Sequence, residues 1–281
     1  MTRAIRLAVV ALLAATALGA CGDDGAENGR YDVTTTVVSS RATQNVQVFA
    51  PNADGQWPVV IAMHGVGGTA QDMAEIATRL AREGVVVFAP TYRTDLSTRE
   101  GVENAATDLE CGYRLVRSIA ADYGGDLDQP VAFVGWSLGA SAALAIGLTE
   151  DIDPTDGHLP CPGNVPRPNV IVAISGCHFE YQGVRQNFLD VTGWGNKEAD
   201  LTLIAGEKDT TCAAEQSDEA AVQLRSAGYD VQLLTLEGAN HYAPVFHNLV
   251  DRQLRVITDD PPGEQTVKTI LEAIGVRQDR A

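Results

Sequence analysis

The stretch VAFVGWSLGAS, Val131 to Ser141, decides the fold of this 281-residue chain. Its first half is rich in β-formers, and its second half continues into a helix-forming run, LGASAALAIGLT. Ser137 lies between Gly135 and Gly139, where the strand passes into the helix. Glycine suits so tight a turn because the backbone segments approach too closely for side chains. The turn would raise the Ser137 hydroxyl clear of the surface, as a nucleophile elbow does.

The rest of the chain alternates apolar runs with helical patterns, which is typical of parallel βαβ units. We predict eight strands, at YDVTTTVVSS (31–40), QNVQVFAP (44–51), WPVVIAMHG (57–65), VVVFAPTY (85–92), PVAFVGWS (130–137), NVIVAISG (169–176), DLTLIAGEKD (200–209) and DVQLLTLEG (230–238). We predict helices at AQDMAEIATRLAREG, VENAATDLECGYRLVRSIAADYG, LGASAALAIGLT, TCAAEQSDEAAVQLRSAG and TVKTILEAIG. Strands that are apolar throughout indicate a sheet covered on both faces. The sequence therefore predicts a three-layer α/β domain with a mostly parallel sheet and an antiparallel N-terminal edge.

A serine hydroxyl needs a neighbouring base to become a nucleophile. In an open α/β sheet that base should lie at the carboxyl ends of the strands, where ligands bind. His241 follows the strand DVQLLTLEG and meets this condition, and it is our candidate. His178 also follows a strand and is harder to exclude. The five histidines of the chain are His64, His158, His178, His241 and His247.

The base in turn needs a carboxylate to orient its imidazole. Asp209 lies at the end of the strand that precedes the strand of His241, and it is the first candidate. Glu207, two residues upstream, is the second. The order Ser137, Asp209, His241 is the order of the α/β-hydrolase triad.

A glycine-rich loop, MHGVGGTA (63–70), follows the first central strand and opens a helix. Such a loop presents free backbone N–H groups that can stabilise an oxyanion. The N–H of Leu138 would be one donor, and that of Val66 or Gly65 the other. The loop lacks GxxxxGK[ST], which argues against nucleotide binding.

These pieces together resemble an α/β-hydrolase of the carboxylesterase and dienelactone-hydrolase-like group, over roughly residues 45–275. The HGVGG run resembles the HGGG-type oxyanion motif of esterases and lipases. The resemblance implies a three-layer α/β-hydrolase fold, a Ser137-His241-Asp209 triad, an acyl-enzyme intermediate and no cofactor. Dienelactone hydrolases carry cysteine at the position of Ser137, so a simple esterase is favoured over a lactonase. A serine peptidase, an acyltransferase and a non-catalytic binding lipoprotein are the alternatives.

The N-terminus has the pattern of a secretory signal. Two arginines precede an apolar run of about twelve residues, which is too short for a membrane span. The sequence LGAC (18–21) resembles a bacterial lipobox, and lipid on Cys21 would anchor the chain to the cell membrane. We therefore predict a lipoprotein signal peptide (1–20), a tether (21–30) and an extracytoplasmic hydrolase domain (31–281).

Charge and cysteine content narrow the partners. The formal net charge of −17 argues against nucleic acid binding, which rewards a basic face. No Cys/His metal spacing is present.

Besides Cys21 the chain has four cysteines, an even number that suggests two disulfides in an exported protein. Spacing alone leaves three pairings open. The resemblance to exported hydrolases favours Cys111 with Cys161 and Cys177 with Cys212.

Substrate size is the least constrained expectation. The connection at 178–197 is short where hydrolases carry lids, which suggests an open or small acyl pocket and short-chain esters. Its aromatic residues would line that pocket or merely pack the connection, and the sequence does not choose between the two. They are Phe179, Tyr181, Phe188 and Trp194.

Overall fold

The structure is a computed structural model, and it describes residues 29–41, 44–95, 98–149, 161, 165–181, 184–185, 194–246 and 262–276. The predicted signal peptide and Cys21 lie outside these ranges. No helix within the described ranges is long and apolar enough to cross a membrane.

The strands of the described residues form one eight-stranded sheet and a short hairpin. The sheet order is β1-β2-β4-β3-β5-β6-β9-β10. From β4 to β10 neighbouring strands run parallel, whereas β1 and β2 form an antiparallel edge. The strands are β1 (Val33–Arg41), β2 (Gln44–Pro51), β3 (Val59–Met63), β4 (Val86–Pro90), β5 (Val131–Trp136), β6 (Val170–Ile174), β7 (Glu180–Tyr181), β8 (Val184–Arg185), β9 (Asp200–Gly206) and β10 (Val231–Leu236).

Helices cover both faces of the sheet. The α-helices of the described ranges are α1 (Ala74–Arg82), α2 (Arg99–Ile119), α3 (Leu138–Leu148), α4 (Ala214–Ser226) and α5 (Pro262–Ala273). The buried side chains of α2, α3 and α4 form one core with one face of the strands, and those of α1 and α5 form a second core with the other face. Strands β3, β4, β5 and β6 are buried at every residue, because both of their faces meet helices.

Three local features differ from the prediction. Helix α2 begins at Arg99, three residues early, because the Thr98 hydroxyl caps it by accepting a hydrogen bond from the Gly101 N–H at 3.0 Å. Helix α5 begins at Pro262, whose fixed φ suits a first helical turn. The hairpin of β7 and β8 was not predicted, since two-residue strands carry no periodic signal.

Candidate active site

Ser137 occupies the sharp turn between β5 and α3. Its φ of 59° and ψ of −120° lie in a region that residues with a side chain rarely adopt. A β-carbon on Gly135 would collide with the carbonyl of Gly139, and one on Gly139 would collide with the carbonyl of Met63. Both glycines are therefore required by close backbone approach, as the sequence predicts. The prediction that the turn raises the Ser137 hydroxyl clear of the surface is wrong, because the backbone of Gly65 packs next to Ser137 and the residue is nearly buried.

Two hydrogen bonds link Ser137, His241 and Asp209. The Ser137 Oγ lies 3.0 Å from Nε2 of His241. The Nδ1 of the same imidazole lies 2.8 Å from Oδ2 of Asp209. With the proton on Nδ1, Nε2 is left as an acceptor facing the serine hydroxyl. The three residues come from the ends of β5, β9 and β10, so the predicted site residues meet at one edge of the sheet.

The Asp209 carboxylate is held by its own turn as well as by His241. Its Oδ1 accepts hydrogen bonds from the N–H groups of Thr211 and Cys212, both at 2.8 Å. Backbone donors of this kind fix the orientation of the carboxylate. Glu207, the second candidate, faces elsewhere: its Oε2 accepts a hydrogen bond from the Gly238 N–H at 2.8 Å.

The glycine loop places backbone N–H groups beside the serine. Within the described ranges, the N–H groups of Gly65, Val66 and Leu138 donate to no protein acceptor. A β-carbon on Gly65 would lie 3.2 Å from Cβ of Ser137, so this backbone is next to the nucleophile. Gly67 adopts a φ of 70° and donates its N–H to the Thr94 hydroxyl at 2.9 Å, which holds the loop in place.

Hydrogen bonds of His64 hold the glycine loop in place. Its Nδ1 donates to the Gly65 carbonyl at 2.8 Å, its Nε2 accepts from the Tyr92 N–H at 3.4 Å, and the Tyr92 hydroxyl bonds to the His64 carbonyl. Burial lowers the pKa of His64, so its imidazole stays neutral in this network. Both ring nitrogens are occupied, which leaves His64 no free position as a base.

Of the other histidines, His178 is fully buried and lies away from the Ser137–His241 pair. Its Nδ1 lies 3.4 Å from the Ser141 hydroxyl, one turn into α3. Burial lowers its pKa to about 4. The alternative of His178 as the base is therefore not supported by its position. His158 and His247 lie outside the described residues.

Trp136 is a site residue that the sequence reasoning did not assign. Its Nε1 donates to the carbonyl of His241 at 2.8 Å, and its ring lies 5.3 Å from the imidazole. The indole therefore fixes the loop that carries the base. The adjacency of tryptophan to the nucleophile was visible in the sequence, but the contact joins residues 105 apart and could not be inferred from spacing.

Comparisons with known proteins give one partial family match. The BD-FAE family model matches residues 46–177, a stretch that includes the glycine loop and Ser137 but ends before Asp209 and His241. A comparison with curated proteins gives no match.

Several solved structures share the whole fold. A truncated carbohydrate esterase from gut microbiota has a TM-score of 0.64 and 18% identity, over 90% of this chain and 100% of its own. A thermophilic esterase of the planctomycete Thermogutta terrifontis with propionate bound has a TM-score of 0.65 and 17% identity, over 90% of this chain and 97% of its own. Esterase B from Lactobacillus Rhamnosis has a TM-score of 0.69 and 15% identity, over 89% of this chain and 88% of its own.

This chain has the α/β-hydrolase fold. The fold class and the resemblance predicted from the sequence are thus confirmed.

The chain carries the two disulfides that the resemblance favoured. Cys111 is joined to Cys161 and Cys177 to Cys212, with Cα–Cα distances of 5.4 and 4.7 Å. The second bond lies next to the Asp209 turn, because Cys212 is one of the two donors to that carboxylate.

The aromatic residues after β6 divide according to burial. Phe179 and Trp194 belong to the core that α2, α3 and α4 share with the sheet. Trp194 pairs with Thr149, which follows the last residue of α3, at the opposite end of this helix from Ser137. For these two residues the packing interpretation holds. Tyr181 is half-buried, and Phe188 lies outside the described residues.

Proposed function

We propose that this α/β-hydrolase is a serine carboxylic-ester hydrolase that uses Ser137 as nucleophile, His241 as general base and Asp209 as the orienting acid. One observation carries the proposal: the unbroken hydrogen-bond chain from Ser137 through His241 to Asp209, 3.0 and 2.8 Å long. All three side chains are nearly buried, so the chain is shielded from competing water.

The reaction follows from the direction of these hydrogen bonds. As Ser137 Oγ attacks the ester carbonyl carbon, its proton passes to Nε2 of His241. The buried Asp209 carboxylate stabilises the imidazolium that forms. His241 then returns the proton to the leaving alcohol as the carbonyl–oxygen bond breaks, which leaves an acyl group on Ser137. A water molecule repeats the sequence and releases the acid.

The negative charge of the tetrahedral intermediate needs donors that are already in position. The N–H of Leu138, at the start of α3, is one such donor in our proposal, and that of Val66 or Gly65 is the other. Among the described residues these donors have no protein acceptor, so no internal hydrogen bond has to break when they bind the oxyanion. Removing one donor of this kind costs on the order of 10²–10³ in kcat.

We propose short-chain or otherwise small esters as substrates. The esterase structures that share this fold, one of which binds propionate, support this class. A serine peptidase or acyltransferase would use the same three residues, because both pass through an acyl-enzyme. A non-catalytic binding lipoprotein is less well supported, since a binding role does not require an aligned Ser–His–Asp chain.

We propose an extracytoplasmic location with a lipid anchor on Cys21. The sequence pattern is the main support, and two disulfides fit an oxidising compartment. Globomycin should leave an unprocessed precursor of larger size, and unchanged size and membrane fractionation would contradict the anchor.

The experiment that tests the activity is hydrolysis of p-nitrophenyl acetate by protein that begins after Cys21. We expect turnover by this protein, and a loss of at least about 10⁴-fold in Ser137→Ala, with unchanged circular dichroism. Absence of turnover together with absence of fluorophosphonate labelling, in well-folded protein, would contradict the proposal.

An acyl series from acetate to decanoate should show a steep fall in kcat/KM, and a rise would reject the small pocket.

A further inference from the structure

An exposed aromatic ring stands directly beside the base. Tyr242, the residue after His241, is 46% exposed, whereas His241 is 4% exposed and Trp136 is 7% exposed. The ring contacts Trp136 and Phe246, with centroid distances of 5.5 and 6.3 Å, and the rest of it is open to solvent beside the nearly buried triad. Aromatic side chains commonly line the sites that bind small ligands.

The position of this ring is fixed by its surroundings. Its centroid lies 5.3 Å from that of His241, with the two rings nearly perpendicular, and 5.5 Å from that of Trp136. The backbone of Tyr242 donates to Oδ1 of Asn240 at 2.9 Å, and its carbonyl accepts from the Val245 N–H at 3.0 Å. A ring held in this way can bind a ligand at little cost in conformational entropy.

The chemistry of the triad decides which part of an ester meets this ring. The oxyanion must face the N–H groups of Gly65, Val66 and Leu138. The leaving oxygen must come within hydrogen-bond distance of Nε2 of His241 in order to be protonated. The alcohol portion of the ester therefore departs on the imidazole side of Ser137. Within the described ranges, the exposed ring next to this imidazole is that of Tyr242.

We infer that Tyr242 is a specificity residue that stacks against the alcohol portion of the ester, and that the preferred substrates are esters of ring-bearing alcohols. The shared chemistry is a flat face, which both an aromatic ring and a sugar ring present to tyrosine. This inference rests on the proposed function and adds a substrate class to it. No described residue bonds to the Tyr242 hydroxyl, so this group is available to a sugar hydroxyl.

The test compares ring esters with open-chain esters whose leaving alcohols have similar acidity. Phenyl acetate is paired with hexafluoroisopropyl acetate, and an acetylated methyl pyranoside is paired with 2,2,2-trifluoroethyl acetate. In Tyr242→Ala and Tyr242→Leu the ratio of kcat/KM, ring ester over open-chain ester, should fall roughly three- to tenfold for at least one pair. Val222→Ala, which truncates an exposed apolar side chain on α4, should leave both ratios unchanged.

Tyr242→Phe distinguishes a preference for aryl esters from a preference for sugar esters. An aryl preference would survive this change, because the ring remains, whereas a sugar preference would weaken with loss of the hydroxyl. Unchanged ratios for both pairs in Tyr242→Ala, with open-chain esters still hydrolysed, would overturn this inference and leave the esterase proposal standing. A wild-type protein that hydrolyses no ester and resists fluorophosphonate would overturn both.

Discussion

The two disulfides offer a comparison within one molecule. The acid-loop disulfide, Cys177–Cys212, spans 35 residues, and the helix disulfide, Cys111–Cys161, spans 50. In the chain-entropy model each closes a loop worth about 4 kcal/mol of unfolding free energy. Their predicted contributions to stability are therefore nearly equal, and any difference in their effect on activity must come from where they lie.

The acid-loop disulfide joins two parts of the candidate site. Cys212 donates its N–H to the Asp209 carboxylate at 2.8 Å. The carbonyl of Cys177 accepts from the Ser141 hydroxyl at 3.2 Å, one turn after the start of α3. This bond thus ties the turn that orients the acid to the helix that begins at the nucleophile.

The helix disulfide lies in a different environment. Beside Cys111, the buried carboxylate of Glu110 pairs with Arg114 and Arg167, each at 2.9 Å. Arg114 also donates to the carbonyl of Cys161 at 3.2 Å. The same segments are therefore held by charge-assisted hydrogen bonds as well as by the disulfide, and none of these contacts involves Ser137, His241 or Asp209.

The largest effect on activity is expected from removal of the acid-loop disulfide. In Cys177→Ala/Cys212→Ala the Asp209 turn loses its covalent tie, and kcat should fall about ten- to a hundredfold because small misplacement of an orienting group is costly. The measurement is kcat and KM for p-nitrophenyl acetate at a temperature where circular dichroism shows the variant folded. The change should appear in kcat, since Asp209 acts on the reaction through His241.

The matched control removes the helix disulfide in the same way. Cys111→Ala/Cys161→Ala should lose about 2–4 kcal/mol of unfolding free energy and keep kcat within about twofold. Urea unfolding followed by fluorescence gives the first quantity, and the ester assay gives the second. Equal losses of kcat in the two double variants would refute the view that position separates the two bonds.

The same contrast shows what the sequence could and could not predict. The strand–helix alternation, the glycines around Ser137 and the order Ser137, Asp209, His241 are local or ordered signals, so the fold and the candidate triad could be read from them. The disulfide pairing needed the resemblance to exported hydrolases, because spacing left three pairings open.

Contacts between distant segments were the part that could not be predicted. The bond from Trp136 to the carbonyl of His241 and the ion pairs of Glu110 depend on which strands are neighbours and which way each side chain points. The sequence order of parallel strands does not specify these directions. The hairpin of β7 and β8 was missed for a different reason: its strands are too short to show alternation.

Acid stability should also differ between the two regions. Both regions bury charged groups that are paired, but the acid-loop region also buries the neutral His178, which has no ion-pair partner among the described residues. Burial lowers the pKa of His178 from 6.5 to about 4 in the folded chain. Between these values the unfolded chain binds a proton that the folded chain does not. Stability should therefore fall as the pH falls through this window, by up to about 1.4 kcal/mol per pH unit.

Replacing His178 by Asn should remove this difference in proton binding between the unfolded and folded chains. The variant will differ from the wild type by a constant offset because a ring is lost from the core, so the diagnostic quantity is the slope of unfolding free energy against pH. We expect a shallower slope between pH 6.5 and about 4 in His178→Asn, and the wild-type slope in Cys111→Ala/Cys161→Ala. If the slope of His178→Asn matched that of the wild type, the acid sensitivity would have to come from groups outside the acid-loop region.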